Sequence, residues 1–129
     1  MAGVSKGAAG EMLAARFLRE KGYTILVANY RCRLGEIDII AADRQYIAFV
    51  EVKTRQQDAL YAPREAVTID KQKRLLGTAS LFLKAHPELN KQPRFDVVEV
   101  TTGTDDPLQA VEINHIVNAY EAGDLRAAF

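Results

Sequence analysis

Residues 35–55 read Gly-Glu-Ile-Asp-Ile-Ile-Ala-Ala-Asp-Arg-Gln-Tyr-Ile-Ala-Phe-Val-Glu-Val-Lys-Thr-Arg, which sets Glu36, Asp38, Glu51 and Lys53 in two otherwise apolar runs. Apolar strands seldom carry such charges without a use for them. Side chains alternate faces along a strand, so in the run 47–54 Phe49, Glu51 and Lys53, continued by Arg55, share one face. Ala48, Val50 and Val52 take the other. The run 36–42 places Glu36 and Asp38 on one face in the same way. The polar break Asp43-Arg44-Gln45 is short enough for the two runs to fold back as a hairpin, and a turn centred there puts Asp38 and Glu51 on adjacent strands.

Two carboxylates that meet across a strand pair repel unless a cation or a proton sits between them. Oxygen donors with no Cys or His close by in sequence suit Mg²⁺ or Mn²⁺ rather than Zn²⁺, and the carbonyl of Val52 can complete such a site. A lysine beside that site can orient or deprotonate a water, or offset charge on a pentavalent phosphorus. That is the chemistry of phosphodiester hydrolysis. The plain alternative is a salt-bridged solvent face, since Glu-x-Lys is common on exposed strands.

Asp38 followed by Glu51-Val52-Lys53 resembles the PD-(D/E)XK nuclease signature. The fuller strings resemble the YraN family of predicted endonucleases, relatives of archaeal Holliday-junction resolvases. They are Gly10-Glu11 with Ala14 and Leu18, Gly22-Tyr23, Gly35-Glu36-Ile37-Asp38, Phe49-Val50-Glu51-Val52-Lys53 with Arg55, Glu65-Ala66-Val67 with Lys71, and Arg94-Phe95-Asp96-Val97-Val98. The resemblance covers nearly the whole chain. It implies a restriction-endonuclease-like α/β fold in which Asp38, Glu51 and the Val52 carbonyl bind metal, Lys53 serves the attacking water, and Glu11 adds an acidic ligand from the first helix. It also implies DNA as substrate, with branched or structured duplex preferred. One departure is that Ile37, not proline, precedes Asp38; the proline contributes no ligand.

The elements that must position these residues read as helix, three strands, helix, strand, strand, helix, a mixed β-sheet flanked by helices. Ser5 as N-cap and Gly22 as stop bracket a first helix through Ala8, Leu13, Phe17 and Leu18. Glu11 falls on the stripe Ala8, Glu11, Ala15, Leu18, so a helix packing that stripe on the sheet carries its carboxylate inward. An exposed edge paired with Arg16 or Arg19 is the other reading. Gly7 and Gly10 allow close approach of a phosphate or another backbone, or simply fray the first turn. Residues 23–31 form the first strand. Thr68 can cap a second helix whose Leu75, Leu76, Ala79, Phe82 and Leu83 fit a 3.6-residue period, with Pro87 closing it. Residues 95–101 are then a strand reached by a right-handed crossover, which lays the second helix over one face of the sheet. The first helix is expected to cover the same core.

A chain of 129 residues with 48% hydrophobic content suits one core, so a single domain over 1–129 is expected. No stretch approaches the apolar run of about 20 residues that a membrane helix needs, and the N-terminus lacks a secretion-signal core. A soluble, cytoplasmic protein with no membrane partner is the expectation. The lone Cys32 fits a reducing compartment and reads as a half-buried strand residue. His86 and His115 share no ligand spacing and read as structural or surface residues.

Net charge is zero but polarised. Residues 1–95 hold sixteen Lys and Arg against ten acids, and residues 96–129 hold Arg126 against seven acids. A basic segment of that size can steer a phosphate backbone. Arg55 continues the face of Glu51 and Lys53, Lys71 and Arg74 crowd the start of the second helix, where backbone amides also attract phosphate, and Arg33 joins the approach surface with Arg31. No Gly-rich nucleotide loop is present, so no nucleotide cofactor is expected. A homodimer would suit paired cuts on a junction. The reading is a Mg²⁺- or Mn²⁺-dependent DNA endonuclease. The alternative is a catalytically silent, nuclease-like module that binds nucleic acid without turnover.

Overall fold

The two apolar runs that carry the carboxylates are neighbouring strands at the centre of a sheet. The computed structural model describes residues 6–57, 69–106 and 108–120. They form α1 (Lys6–Glu20), β1 (Thr24–Cys32), β2 (Gly35–Ala42), β3 (Tyr46–Gln56), α2 (Ile69–Ala85), β4 (Gln92–Thr102) and β5 (Ala110–Ile116). The strands lie side by side in chain order as one five-stranded sheet. β1, β2 and β3 form an antiparallel meander, β4 joins β3 in parallel, and β5 returns antiparallel on β4. This is the mixed α/β arrangement that the sequence predicts. A final helix and the caps Ser5 and Thr68, like Glu65-Ala66-Val67, fall outside the described residues.

The β2–β3 hairpin turns where expected. Ala42 faces Ile47, and the Asp43 carboxylate accepts the amides of Gln45 and Tyr46 at 2.9 and 2.7 Å. That local bond lets an aspartate fix a tight turn. The parallel pairing of β3 with β4 requires a crossover, and α2 lies within it.

Helix α1 does not cover the same core as α2. Leu75, Ala79 and Phe82 of α2 pack with Ile37, Ile40, Ile47, Phe49 and Phe95. Ala14 and Leu18 of α1 pack with Ile39, Ala41, Ala48, Val50, Val98 and Val100 on the opposite face. The reason lies in β3, where Ile47, Ala48, Phe49 and Val50 are all buried. A strand with apolar residues on both faces needs cover on both.

The C-terminus of α1 closes as predicted. Gly22 adopts φ +99°, the Tyr23 amide reaches back to the Leu18 carbonyl and the Gly22 amide to that of Arg19, each at 3.0 Å. This pair of bonds satisfies helix-end carbonyls and needs a residue tolerant of positive φ. The buried residues described in α1 are Ala9, Gly10, Ala14 and Leu18, so of the predicted stripe Ala8, Glu11, Ala15 and Leu18 the last alone is buried. Ala8 is exposed and Glu11 sits half-buried at the edge of the buried face. Among the described residues no helix is long and apolar enough to cross a membrane.

Candidate active site at the fork between β2 and β3

The pairing of β2 with β3 runs from Ala42 opposite Ile47 to Ile39 opposite Val50 and ends there. Beyond that point β2 continues against β1 as far as Gly35, and β3 continues against β4 as far as Gln56. The two strands therefore part at Asp38 and Glu51. A parting pair leaves backbone groups without a ladder partner, and the Asp38 carboxylate takes one of them, accepting the Val52 amide at 2.8 Å.

Asp38 is half-buried, and its carboxyl is pushed above the usual aspartate value. Burial is the main cause. The Val52 amide opposes it, while the charges of Glu11, Glu51 and Glu36 add to it. Excess negative potential thus converges on this one carboxylate.

Glu51, with a side chain 13% exposed, has two cationic partners on the same oxygen: Lys53 Nζ at 2.7 Å and Lys71 Nζ at 3.0 Å. Burial pushes its carboxyl up, but the two ammonium groups outweigh burial and hold it below the usual glutamate range. Lys53 comes from the next position but one on β3, on the face that alternation predicts, and Lys71 from the first turn of α2. The cleft around them holds about 200 Å³ and is lined by Glu36, Asp38, Glu51, Lys71, Asp96 and Tyr120 among others.

Glu11 reaches Asp38 through its charge and lines a separate groove with Met12, Arg16, Arg19 and Ile39. The preceding Gly10 explains how α1 comes so near, since a methyl there would land inside the Thr54 side chain of β3. The close approach anticipated for Gly10 is thus to a strand side chain, while Gly7 faces open space.

The structure therefore brings Asp38, Glu51, Val52, Lys53 and Lys71 together. Arg33 is exposed in the β1–β2 turn. Arg74 is exposed on α2, its backbone close to Gly35 at the end of that turn. Arg55 is exposed further along β3. Among the described residues, no three His, Cys, Asp or Glu side chains are gathered closely enough to hold a metal ion as they stand. The donor set still fits a hard divalent ion, because every candidate is an oxygen and Asp38 carries the uncompensated negative field that such an ion relieves.

Two features have no counterpart in the site read from the sequence. Behind the cleft, Asp96 accepts from Arg94 Nε and Nη2, each at 2.8 Å, from His115 Nε2 at 2.8 Å and from the Asn118 amide at 2.9 Å. Arg94 also donates to the Tyr23 hydroxyl at 2.6 Å. His115 is thus structural, its other ring nitrogen accepting from Lys21 at 2.7 Å. The second feature is Tyr120. It follows β5, packs its ring on Phe95 at 5.8 Å between centroids, and has a buried hydroxyl with no hydrogen-bond partner among the described residues. Arg94 and Asp96 were legible only as part of a family string, and Tyr120 had no sequence signal.

The model of the uncharacterised protein family UPF0102 matches residues 10–100. The chain belongs to the UPF0102 family. It is 41% identical over 114 residues to a UPF0102 protein of Caldanaerobacter subterraneus, covering 88% of this chain and 93% of the relative. A UPF0102 protein of Chlorobium phaeobacteroides is 44% identical over 116 residues, covering 88% and 92%. One of Nocardia farcinica is 52% identical over 94 residues, covering 73% and 74%. The UPF0102 segment begins at Gly10, beside Glu11, and takes in Asp38, Glu51, Lys53, Lys71 and Asp96, whereas Tyr120 lies beyond its end.

Proposed function

We propose that this UPF0102 protein is a Mg²⁺- or Mn²⁺-dependent endonuclease that hydrolyses DNA phosphodiester bonds, with branched or structured duplex as the preferred substrate. The observation that carries the reading is the meeting of Asp38 and Glu51 where β2 and β3 part, with the Val52 peptide held on Asp38 and Lys53 on Glu51. Asp38, Glu51, the Val52 carbonyl and Glu11 would hold the ion. Bound there, it would supply Lewis-acid polarisation of the phosphate and a more acidic water.

The chain's own groups do the rest. Lys53, an ammonium held by Glu51, would orient the attacking water by donating to it and offset the charge that builds up on the phosphorus. Lys71 lies at the same carboxylate and can turn from Glu51 to a phosphate oxygen as a strand enters. Arg33, Arg55 and Arg74 are the further backbone contacts, giving affinity without reading sequence.

Cleavage of linear, flapped and four-way DNA in Mg²⁺, Mn²⁺ and EDTA tests the proposal. Metal-dependent cuts, strongest on branched DNA, are expected. DNA binding without cuts under any metal leaves the nucleic-acid-binding module as the function, and neither binding nor cuts removes both.

A further inference from the structure

Tyr120 presents a hydrogen-bond donor that the described residues do not use. Its hydroxyl is shut away from bulk solvent and has no hydrogen-bond partner among the described residues, an arrangement that costs stability and that native structures rarely keep without reason. Its position is not arbitrary. The ring rests on Phe95, the residue lines the same cleft as Asp38, Glu51 and Lys71, and Glu51 is near enough for its charge to act on the phenol.

The chemistry of that cleft determines what the hydroxyl can serve. Glu36, Asp38, Glu51 and Asp96 on its wall are acceptors when ionised. Against them, Lys71 and Tyr120 supply side-chain donors. Burial, helped by Glu51, holds the phenol up at about 12, so it keeps its proton at any working pH. A neutral donor adds no charge that would compete for the carboxylates, yet it can bond an anionic oxygen. Tyr120 is only half-buried as a whole and lines the cleft that a substrate group would enter.

We infer that Tyr120 is a substrate-contacting residue, its phenol donating to a non-bridging phosphate oxygen of the nucleic-acid strand bound beside Asp38 and Glu51. The inference rests on the nuclease reading of that site.

Tyr120→Phe removes one oxygen and keeps the ring on Phe95. Three measurements compare it with the wild type: thermal melting, affinity for a four-way DNA junction in Ca²⁺, and kcat/KM in Mg²⁺. Melting is expected to be unchanged or higher, because an unsatisfied hydroxyl has gone. Junction affinity and kcat/KM are each expected to fall about ten- to a hundredfold, the usual effect of losing a bond to a charged group. Wild-type affinity and turnover in the variant overturn the inference. So does clearly lower melting, which would mean the hydroxyl has a structural partner. Should the wild type bind the junction but never cut it, the endonuclease reading fails while the affinity comparison still decides Tyr120. Should it not bind at all, both fall.

Discussion

The Val52 amide donates to Asp38 across the gap where their strands cease to pair. The bond pins a carboxylate whose ionised form is disfavoured by burial and by Glu11, Glu51 and Glu36. A carboxyl raised above its unfolded value favours folding while protonated, and loses that contribution as pH rises through the raised value. Ionised Asp38 is thus a stability cost at neutral pH. Asp38→Asn keeps an acceptor for Val52 and removes the charge. It is expected to raise the melting temperature in EDTA by a few degrees at pH 7, with the gain vanishing toward acid pH. Saturating Mg²⁺ or Mn²⁺ should stabilise the wild type and not the variant. A metal-insensitive wild type with a lower-melting variant would contradict the metal site.

Lys53 contacts the site through Glu51, at 2.7 Å. Lys53→Ala takes away the group proposed to act on water and leaves Asp38, Glu51 and the Val52 peptide in position. Cleavage is expected to fall by about a hundredfold or more, the scale of a lost donor to developing charge, with junction affinity in Ca²⁺ nearly unchanged. Unaltered turnover would remove Lys53 from the mechanism.

How far the sequence anticipates all this depends on the range of the forces involved. Strand alternation, the break at Asp43 and the stop at Gly22 act over a few residues, and each appears where the pattern puts it. The side of the sheet that α1 covers was not legible, because period-two alternation disappears where 47–50 are buried on both faces. Its buried stripe was ambiguous for another reason. With Ala8, Ala9, Ala14 and Ala15 all small and apolar, several helical faces look alike. Tyr120 and the His115–Asp96 contact depend on β5 closing against β4, a register that no local pattern announces.

The network behind the cleft should matter to folding more than to chemistry. Asp96 is fully buried, with Arg94 9% and His115 2% exposed at the side chain. Burial pushes the Asp96 carboxyl up, but His115, Arg94 and the Asn118 amide together hold it below the usual range. A lowered carboxyl stabilises the fold above its unfolded value and stops doing so as pH falls through the lowered one. Asp96→Asn leaves a buried guanidinium without its counter-charge, at a cost of about 3–5 kcal/mol. Chemical denaturation at pH 7 should show that loss, and the deficit should shrink as pH is lowered into the acid range. A variant as stable as the wild type at pH 7 would mean that Asp96 contributes nothing through its charge.

Gly10 offers a test of whether α1 is part of the site or only its cover. Alanine is the better helix former by about 1 kcal/mol, so substitution at an unobstructed position would stabilise α1. At Gly10 the added methyl meets Thr54, and overpacking of this kind costs about 1–3 kcal/mol. The clash is expected to win, and Gly10→Ala to melt lower than the wild type. Thr54→Ala removes the Oγ1 and Cγ2 that the methyl meets and leaves only Cβ at 3.0 Å, so Gly10→Ala in that background should lose most of its penalty, a coupling that a double-mutant cycle measures directly. The same cycle read by activity separates the two roles of the helix. If Glu11 serves the site, the single variant pushes it away from Asp38 and lowers cleavage, and the double variant restores it. Recovery of stability without recovery of cleavage would mean that α1 holds the sheet while Glu11 takes no part in the chemistry.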